Sequence, residues 1–459
     1  MRLFICEKPS QARDIARVLQ ASRRDDGCLQ GQGATVTWCM GHLLETAPPE
    51  AYGNYKRWSL EDLPIIPAHW QLVVKPKVAS QLKVIQQLLR FCSEVVIATD
   101  ADREGEMIAR EILERCQYQG PILRLWLSAL DDASIRRALG TLRPGEQTLP
   151  LYHCALARSR ADWLVGINLS RLFTLLGRRA GFDGLLPVGR VQTPTLRLVV
   201  QRDRAIAGFE SQPFWTVDAQ LEADGTLFQA RWQPPTAACD EAGHCIHEVV
   251  AQSAARRLSQ QGTAQVRRIE VERVREGPPL SFDLSTLQEI CSAKLGLGAQ
   301  ETLAVAQALY ETHKATTYPR TDCGYLPESM LDEVPRVLHA LAAAAPSLGQ
   351  WLKEADPSRR SRAWNSSKIT AHHGIIPTAV MLDLTQLSER ERAVYTLIRA
   401  RYLAQFLPDH EYLKTQVVLH SDEDQLLARG KQILARGWKA VIDEADGNEP
   451  LEQTQRLPT

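Results

Sequence analysis

The sequence predicts a multidomain protein that combines a parallel α/β sheet, a helical segment and an antiparallel β unit with a helical insert. Strand-like and helix-like patterns alternate at the start of the chain, and an arginine-rich helical stretch follows. Alternating β patterns in the middle of the chain stop and return much later. The predicted boundaries are 1–150 for the sheet domain, 151–208 for the helical segment, 209–276 and 388–442 for the two parts of the β unit, 277–387 for the insert and 443–459 for a polar tail.

Composition places the chain among ordinary soluble proteins without a global charge. The 54 basic residues balance the 54 acidic ones, so binding of a polyanion must depend on local charge. No apolar run reaches the length of a membrane span, and the N-terminal strand turns polar at Glu7, too early for a signal peptide. The ten cysteines are scattered and form no C-x-x-C pair. We therefore predict a cytoplasmic protein with reduced thiols and no membrane association.

The first 150 residues predict a parallel sheet covered by helices. Short apolar runs of strand length alternate with amphipathic runs of helix length. The predicted strands are 2–6, 35–39, 94–99 and 121–127, and the predicted helices are 11–19, 80–91, 107–116 and 131–139. In such a sheet, ligands bind at the carboxyl ends of the strands.

Acidic residues follow two of these strands. Asp100, Asp102 and Glu104 are spaced two apart directly after one strand, and Glu7 follows another. Carboxylates that converge on one hard cation suit Mg²⁺, and Glu7 could join them or donate a proton. The other interpretation is a solvated acidic loop at the start of a helix, where the helix dipole favours negative charge. The spacing favours a site for a metal or for phosphoryl chemistry.

The helical stretch after residue 150 is strongly basic. Between Leu156 and Arg204 there are nine arginines, no lysine and three aspartates. Arginine in such excess suggests planar, bidentate contacts with phosphate, as in proteins that bind the nucleic-acid backbone. A solvated helix face with ion pairs would give the same local charge.

A tyrosine in the helical insert is the candidate nucleophile. Tyr318 precedes Pro319 and lies two residues before Arg320, after a predicted helix over 300–311. Proline disfavours helical backbone at the residue before it, so the phenol is expected on an extended or turning segment. A phenol can act as a covalent nucleophile if a cation stabilises the developing charge. Packing or turn formation is the alternative for an isolated Tyr-Pro pair.

Together these segments resemble the type IA DNA topoisomerases, and Glu7 with the acidic cluster resembles their toprim domain. The similar motifs are MRLFICEKPS at 1–10, D-x-D-x-E at 100–104, ARSRADW at 157–163, GRVQTP at 189–194, YPRTD at 318–322 and AHHGIIPT at 371–378. The resemblance covers nearly the whole chain in order. It implies a toroid made of a toprim domain, a helical base and a β arch with an inserted helical domain that carries the tyrosine.

The resemblance also implies a role for each candidate residue. Tyr318 would form a 5′-phosphotyrosyl bond with single-stranded DNA, which conserves bond energy and allows religation without ATP. Lys8 and Arg320 would stabilise the transition state, and Glu7 would protonate the leaving 3′ oxygen. The implied catalytic residues are Tyr318, Glu7, Lys8, Arg320 and His372, the implied Mg²⁺ ligands are Asp100, Asp102, Glu104 and Glu7, and the implied DNA contacts are Arg158, Arg160, Arg190, Gln192 and Thr193.

The chain departs from the family pattern mainly near its end. Type IA enzymes continue past the second β segment into a helical stretch of the base, so an incomplete base and a poorly ordered polar tail are expected here. Pro187 and Gly324 stand where a serine and an arginine are common in the family. Two other functions stay open: a single-stranded DNA-binding relative with weak or no strand passage, and a toprim nuclease or primase. The expected partner is single-stranded or underwound DNA, and the protein is expected to be a monomer.

Overall fold

The computed structural model describes residues 1–369, 372–445 and 457. Its first nine strands are β1 (Arg2–Cys6), β2 (Arg23–Asp25), β3 (Cys28–Gln30), β4 (Ala34–Trp38), β5 (Leu44–Thr46), β6 (Leu72–Val74), β7 (Glu94–Ala98), β8 (Ile122–Arg124) and β9 (Arg143–Pro144). Seven of them form one sheet in the order β2-β3-β4-β1-β7-β8-β9, while β5 pairs with β6. The pairs β4-β1, β1-β7 and β7-β8 are parallel, as predicted, and the edge pairs are antiparallel.

Helices cover both faces of this sheet. They are α1 (Pro9–Val18), α2 (Ala79–Leu89), α3 (Arg103–Arg115) and α4 (Asp132–Gly140). Successive strand residues point to opposite faces, so Phe4 shares a core with Ile15 of α1, whereas Ile5 shares the opposite core with α2 and α3. In the pairing of β1 with β7, Cys6 lies opposite Ala98. The polar residues that follow these two strands therefore lie at one edge of the sheet.

A long helix carries the arginine-rich stretch. It is α5 (Leu149–Arg179), 31 residues that pack against α3, and α6 (Gln192–Ala207) follows after a loop. The Trp163 indole donates to the carbonyl of Ala47 at 3.1 Å, and Asn168 exchanges hydrogen bonds with the backbone of Ile65. The Pro-rich segment near residue 50 is thereby anchored on α5. Within the part of the chain that the structure describes, no helix combines the length and the apolar character needed to cross a membrane.

The second sheet joins two distant parts of the chain. Its strands are β10 (Asp218–Ala223), β11 (Thr226–Gln233), β12 (Gln265–Glu276), β13 (His410–Ser421) and β14 (Asp424–Ala435), in the antiparallel order β10-β11-β14-β13-β12. The helix α7 (Glu248–Gln261) packs on it, and Asp424 accepts hydrogen bonds from Trp232 at 2.9 Å and from Arg257 at 2.8 Å. The β unit is thus interrupted by a helical insert, as the sequence predicts.

The helical unit extends beyond its predicted end. It contains α8 (Leu284–Leu295), α9 (Ala299–Glu311), α10 (Val334–Ala344), α11 (Gly349–Glu354), α12 (Glu389–Leu403) and α13 (Lys439–Ala445). Val394 and Ile398 of α12 share one core with Leu309 of α9, so α12 belongs to this unit and the predicted boundary at 387/388 is wrong. The predicted tail begins too early, because residues 443–445 continue α13. Leu457 packs in the core of the second sheet, and the rest of the tail lies outside the described residues.

Candidate active site

Tyr318 lies in the seam between the N-terminal sheet domain and the helical unit. It stands outside helices and strands, as predicted for a residue before proline. Its amide donates to the carbonyl of Ser128 in the sheet domain at 3.0 Å, and its hydroxyl donates to Oδ2 of Asp102 at 2.8 Å. Only 5% of the residue is exposed. The candidate nucleophile and the acidic cluster, far apart in sequence, therefore meet.

Aromatic rings surround the phenol. Tyr310 meets it edge to face with ring centroids 5.5 Å apart, and the His372 imidazole lies 4.5 Å away. Trp126 of the sheet domain stacks on His372 at 6.1 Å. Burial lowers the pKa of His372 to about 4, so its ring is neutral near pH 7. Neither buried ring nitrogen has a hydrogen-bond partner among the described residues; in the neutral ring one nitrogen can donate, for example to a phosphate oxygen, and the other can only accept.

The phenol is a poor acid in this environment. Burial raises the pKa of Tyr318 far above its ordinary value, and the carboxylates of Asp100 and Asp102 raise it further. The neutral hydroxyl is therefore the stable form. Nucleophilic attack requires loss of the proton and a cation that compensates for the negative charge.

Glu7 and Asp100 meet at the ends of β1 and β7. The Asp100 amide donates to Oε2 of Glu7 at 3.1 Å, and the buried Asp100 carboxylate accepts from Gln11 at 3.0 Å. Burial, and then the Asp100 carboxylate, raise the pKa of Glu7 to about 7. Burial raises the pKa of Asp100 as well. This pair can therefore hold a proton near neutral pH.

The two candidate cations lie beside α9. Nζ of Lys8 contacts Oε1 of Glu311 at 2.7 Å and Oδ2 of Asp100 at 3.4 Å. Burial lowers the pKa of Lys8, but these two carboxylates raise it by more, so the ammonium stays charged. Arg320 is exposed, and its guanidinium donates to Oε1 of Gln307 at 3.4 Å.

The three acidic residues of the D-x-D-x-E motif do not converge. Asp102 caps α3, since its Oδ1 accepts from the Gly105 amide at 2.7 Å. Oε1 of Glu104 lies 2.7 Å from Nε2 of His42, and Nδ1 of the same ring lies 3.2 Å from Oε2 of Glu111. Among residues 1–369, 372–445 and 457, no group of three or more potential ligands is arranged to hold a metal. The four predicted ligands do not form a common site here, because the helix start and His42 engage two of them.

A buried arginine forms hydrogen bonds with the backbone at the start of the acidic loop. Arg124, at the end of β8, is fully buried and forms an ion pair with Glu106 at 2.9 Å. Glu106 also accepts from Arg110 at 2.8 Å. The Arg124 guanidinium donates to the backbone carbonyls of Ile97, Thr99, Asp100 and Leu125. The sequence contained one signal for this role, an arginine inside an apolar strand. Burial of an unpaired charge is costly, so such an arginine is expected to have a buried acidic partner.

Two of the predicted DNA-binding arginines lie together. Arg158 and Arg190 both pair with Asp162, at 3.9 and 2.7 Å, and line one groove. The hydrogen bond from His42 lowers the pKa of Glu104, and the charge of Arg158 lowers it further. The charge of Arg158, at one side of the groove, therefore acts on Glu104 of the acidic loop.

The other predicted DNA contacts are Arg160 on α5 and two residues that follow Arg190 at the start of α6. The Arg160 guanidinium lies over the Trp70 ring at 5.3 Å. Gln192 and Thr193 are exposed at the start of α6, and Thr193 Oγ1 accepts from the Gly189 amide at 3.1 Å. An arginine stacked on an aromatic ring and an exposed polar helix start are both surfaces that can contact a nucleic-acid strand.

Comparison with known proteins decides the family. A family model described as DNA topoisomerase matches residues 146–459, and the Toprim domain model matches residues 2–130. The chain belongs to the DNA topoisomerase family. Its N-terminal sheet domain is a Toprim domain, as the resemblance implied.

Curated relatives of this topoisomerase match over the whole chain. It is 41% identical over 472 residues to DNA topoisomerase 3 of Vibrio cholerae and 42% identical over 468 residues to that of Salmonella typhimurium. These matches cover 100% and 99% of this chain, and 73% and 71% of the relatives. Full-length topoisomerase I from Thermotoga maritima superposes with a TM-score of 0.69 at 23% identity, covering 100% of this chain and 69% of that chain. The predicted type IA topoisomerase fold is confirmed.

Part of the candidate site of this topoisomerase was predicted from the sequence. The structure brings Tyr318, Glu7, Lys8 and the first two aspartates of the motif together at one seam, with His372 against the phenol. Other side chains that hold the site were not singled out from the sequence. They are Gln11, His42, Glu111, Arg124, Trp126, Gln307 and Glu311.

Gly105 is expected to tolerate no side chain. A Cβ at this position would lie 2.2 Å from the carbonyl oxygen of Asp100. We predict that Gly105→Ala displaces the acidic loop, lowers the free energy of unfolding by about 1–3 kcal/mol and slows DNA cleavage about 100-fold. Urea denaturation and a cleavage assay measure these effects. Gly140→Ala is the matched control, since no atom lies within 4 Å of its Cβ; equal values for the two variants would contradict the prediction.

Proposed function

We propose that this topoisomerase cuts and rejoins one strand of single-stranded or underwound DNA, with Tyr318 as the nucleophile. The hydrogen bond of the Tyr318 hydroxyl to Asp102, 2.8 Å long, carries the proposal, because it joins the helical unit to the Toprim sheet at the acidic cluster. A phenol beside carboxylates, with cations near it, is suited to phosphoryl transfer. Repeated cutting and rejoining would relax negative supercoils or decatenate DNA without ATP.

In the proposed step, the Tyr318 oxygen forms a bond to phosphorus while the bond from phosphorus to the 3′ oxygen breaks. Asp102 accepts the phenol proton through the existing hydrogen bond, and Glu7 supplies a proton to the leaving 3′ oxygen. Lys8 and Arg320 balance the charge on the remaining phosphate oxygens, and His372 packs against the reacting phenol. Because one phosphate diester replaces another, the reverse reaction restores the strand.

We propose Mg²⁺ as the cofactor. Carboxylate oxygens are the ligands that Mg²⁺ prefers, and Glu7, Asp100 and Asp102 all follow the two adjacent strands β1 and β7, with Glu7 Oε2 3.1 Å from the Asp100 amide. These two aspartates would hold the ion, with Glu7 beside them and Glu104 after release from His42. Bound Mg²⁺ would help to position the strand for religation.

Polar contacts join the Toprim domain and the helical unit at the seam, where the two parts would have to separate to let a second strand pass. Among the residues that the structure describes, three ion pairs join the Toprim domain to the helical unit: Lys8 with Glu311, Asp14 with Lys314 and Arg137 with Glu333. When the two parts separate, water and salt ions can take the place of these partners. We infer that the two parts separate here to pass a second strand while Tyr318 keeps the cut end.

An end-labelled single-stranded oligonucleotide tests the proposed reaction. After denaturation in SDS, a 3′-end label is expected to migrate with the protein and a 5′-end label to be released, because a 5′-phosphotyrosyl bond retains the downstream piece. Relaxation of underwound plasmid is expected to stop when EDTA removes Mg²⁺. No adduct with either label would refute the proposal, and retention of the 5′ label would refute the polarity of the bond.

The alternative functions are less well supported. A toprim nuclease or primase would need no tyrosine, whereas Tyr318 is buried against the acidic cluster. A DNA-binding relative without strand passage would give an adduct, or binding alone, without plasmid relaxation in the same assays. The monomeric state and the cytoplasmic location stay predictions.

A further inference from the structure

Helix α9 carries two polar side chains that link the two cations of the proposed phosphate site. Gln307 and Glu311 are four residues apart, on one face of the helix, and Nε2 of Gln307 donates to Oε1 of Glu311 at 2.8 Å. Glu311 accepts from Lys8 at 2.7 Å, and Gln307 accepts from Arg320 at 3.4 Å. One helix of the helical unit therefore contacts both cations in the DNA-free chain.

The contact of Lys8 with Glu311 is the shorter of its two carboxylate contacts. Nζ lies 2.7 Å from Glu311 and 3.4 Å from Asp100. The side chains of Lys8 and Glu311 are only 19% and 22% exposed, so salt screens this pair less than a surface pair. A carboxylate oxygen at hydrogen-bond distance from an ammonium has the charge and the geometry of a phosphate oxygen in the same place.

We propose that Glu311 is a positioning residue that occupies, in the DNA-free enzyme, the place on Lys8 that a phosphate oxygen of the bound strand takes. Gln307 holds the Glu311 carboxylate and the Arg320 guanidinium, so both cations stay directed at that place. This inference rests on the proposed function, which assigns Lys8 and Arg320 to the phosphate. Arrival of the strand displaces Glu311 from Lys8 and removes one ion pair across the seam.

The proposal predicts opposite effects of Glu311→Gln on binding and on cleavage. The variant no longer competes with the strand for Lys8, so single-stranded DNA should bind roughly 3- to 10-fold tighter, which corresponds to about 0.7–1.4 kcal/mol. Lys8 loses its anchor, so the cleavage rate at saturating DNA should fall by about the same factor. Glu311→Asp keeps the charge and should stay near the parent in both measurements.

Fluorescence anisotropy with a labelled single-stranded oligonucleotide measures affinity in a Tyr318→Phe background, where no covalent bond forms. Single-turnover cleavage is measured with Tyr318 intact. Glu301→Gln is the matched control, because Glu301 lies on the same helix and pairs with Arg390 at the surface. It makes the same charge change and should alter neither affinity nor rate. In a Lys8→Gln background, the effect of Glu311→Gln on affinity should disappear.

Three results would overturn the inference. They are unchanged or weaker binding by Glu311→Gln, an equal gain in affinity for Glu301→Gln, and an effect that persists in the Lys8→Gln background. Failure of the proposed function has a different signature, because the parent would then form no adduct while the affinities could still be compared. An adduct in the parent with no effect of Glu311→Gln would refute this inference alone.

Discussion

Tyr318→Phe is expected to abolish the covalent adduct and to slow plasmid relaxation by at least about four orders of magnitude, the scale of loss when a catalytic nucleophile is removed. Phenylalanine fills the same buried space between Tyr310 and His372, and the hydrogen bond to Asp102 is lost. Folding and affinity for single-stranded DNA should therefore change little, by about twofold or less in affinity. Gel analysis of SDS-trapped adducts, plasmid relaxation and anisotropy measure the three quantities.

The control for this variant is Tyr325→Phe. Tyr325 is a partly exposed phenol further along the same loop, and its loss should leave the adduct in place. An adduct that persists in Tyr318→Phe would show that another residue is the nucleophile. Loss of the adduct in both variants would point to a general disturbance of the loop.

Arg124→Met is expected to have the largest effect on stability. The guanidinium is fully buried between Glu106 and the carbonyls at the carboxyl end of β7, so its removal leaves a buried carboxylate with one fewer counter-ion. Loss of one partner of a buried ion pair costs about 3–5 kcal/mol. Urea denaturation should show this loss, and the adduct yield should fall because the Asp100 carbonyl loses its donor.

Two further variants test whether loss of the buried charge causes the lower stability of Arg124→Met. Arg136→Met removes an exposed arginine of α4, whose ion pair with Asp132 is 3.7 Å long, and should change stability by no more than about 1 kcal/mol. Glu106→Gln combined with Arg124→Met should lower stability further, because the buried Arg110 then loses the carboxylate that accepts its hydrogen bond at 2.8 Å. If Arg124→Met matched the parent protein in stability, the structural role assigned to this arginine would be wrong.

The arrangement at the strand ends was largely predictable from sequence. Glu7 and Asp100 directly follow two apolar runs, and the ends of adjacent parallel strands share one edge of a sheet. The direction of Glu104 was not predictable in the same way. It depends on His42, a turn residue 62 positions earlier, whose ring lies between Glu104 and Glu111. Such a choice of side-chain direction follows from packing and not from periodicity.

The end of the helical insert was also not predictable from periodicity alone. A boundary drawn at residue 387 separated α12 from the helices before it, since the chain returns to β patterns soon afterwards. In the structure, Val394 and Ile398 complete the core of the helical unit. A helix pattern alone does not reveal which of two neighbouring cores its apolar face joins.

By itself the sequence determined the kinds of units and which residues are candidates for the reaction, because strand and helix periods and short motifs are local properties of the chain. Only the tertiary structure decided which groups meet. The contact of Tyr318 with Asp102 joins residues 216 positions apart, and that of Lys8 with Glu311 spans 303. Their charge states depend on burial and on partners from distant segments, and these exist only once the Toprim sheet and the helical unit are packed together.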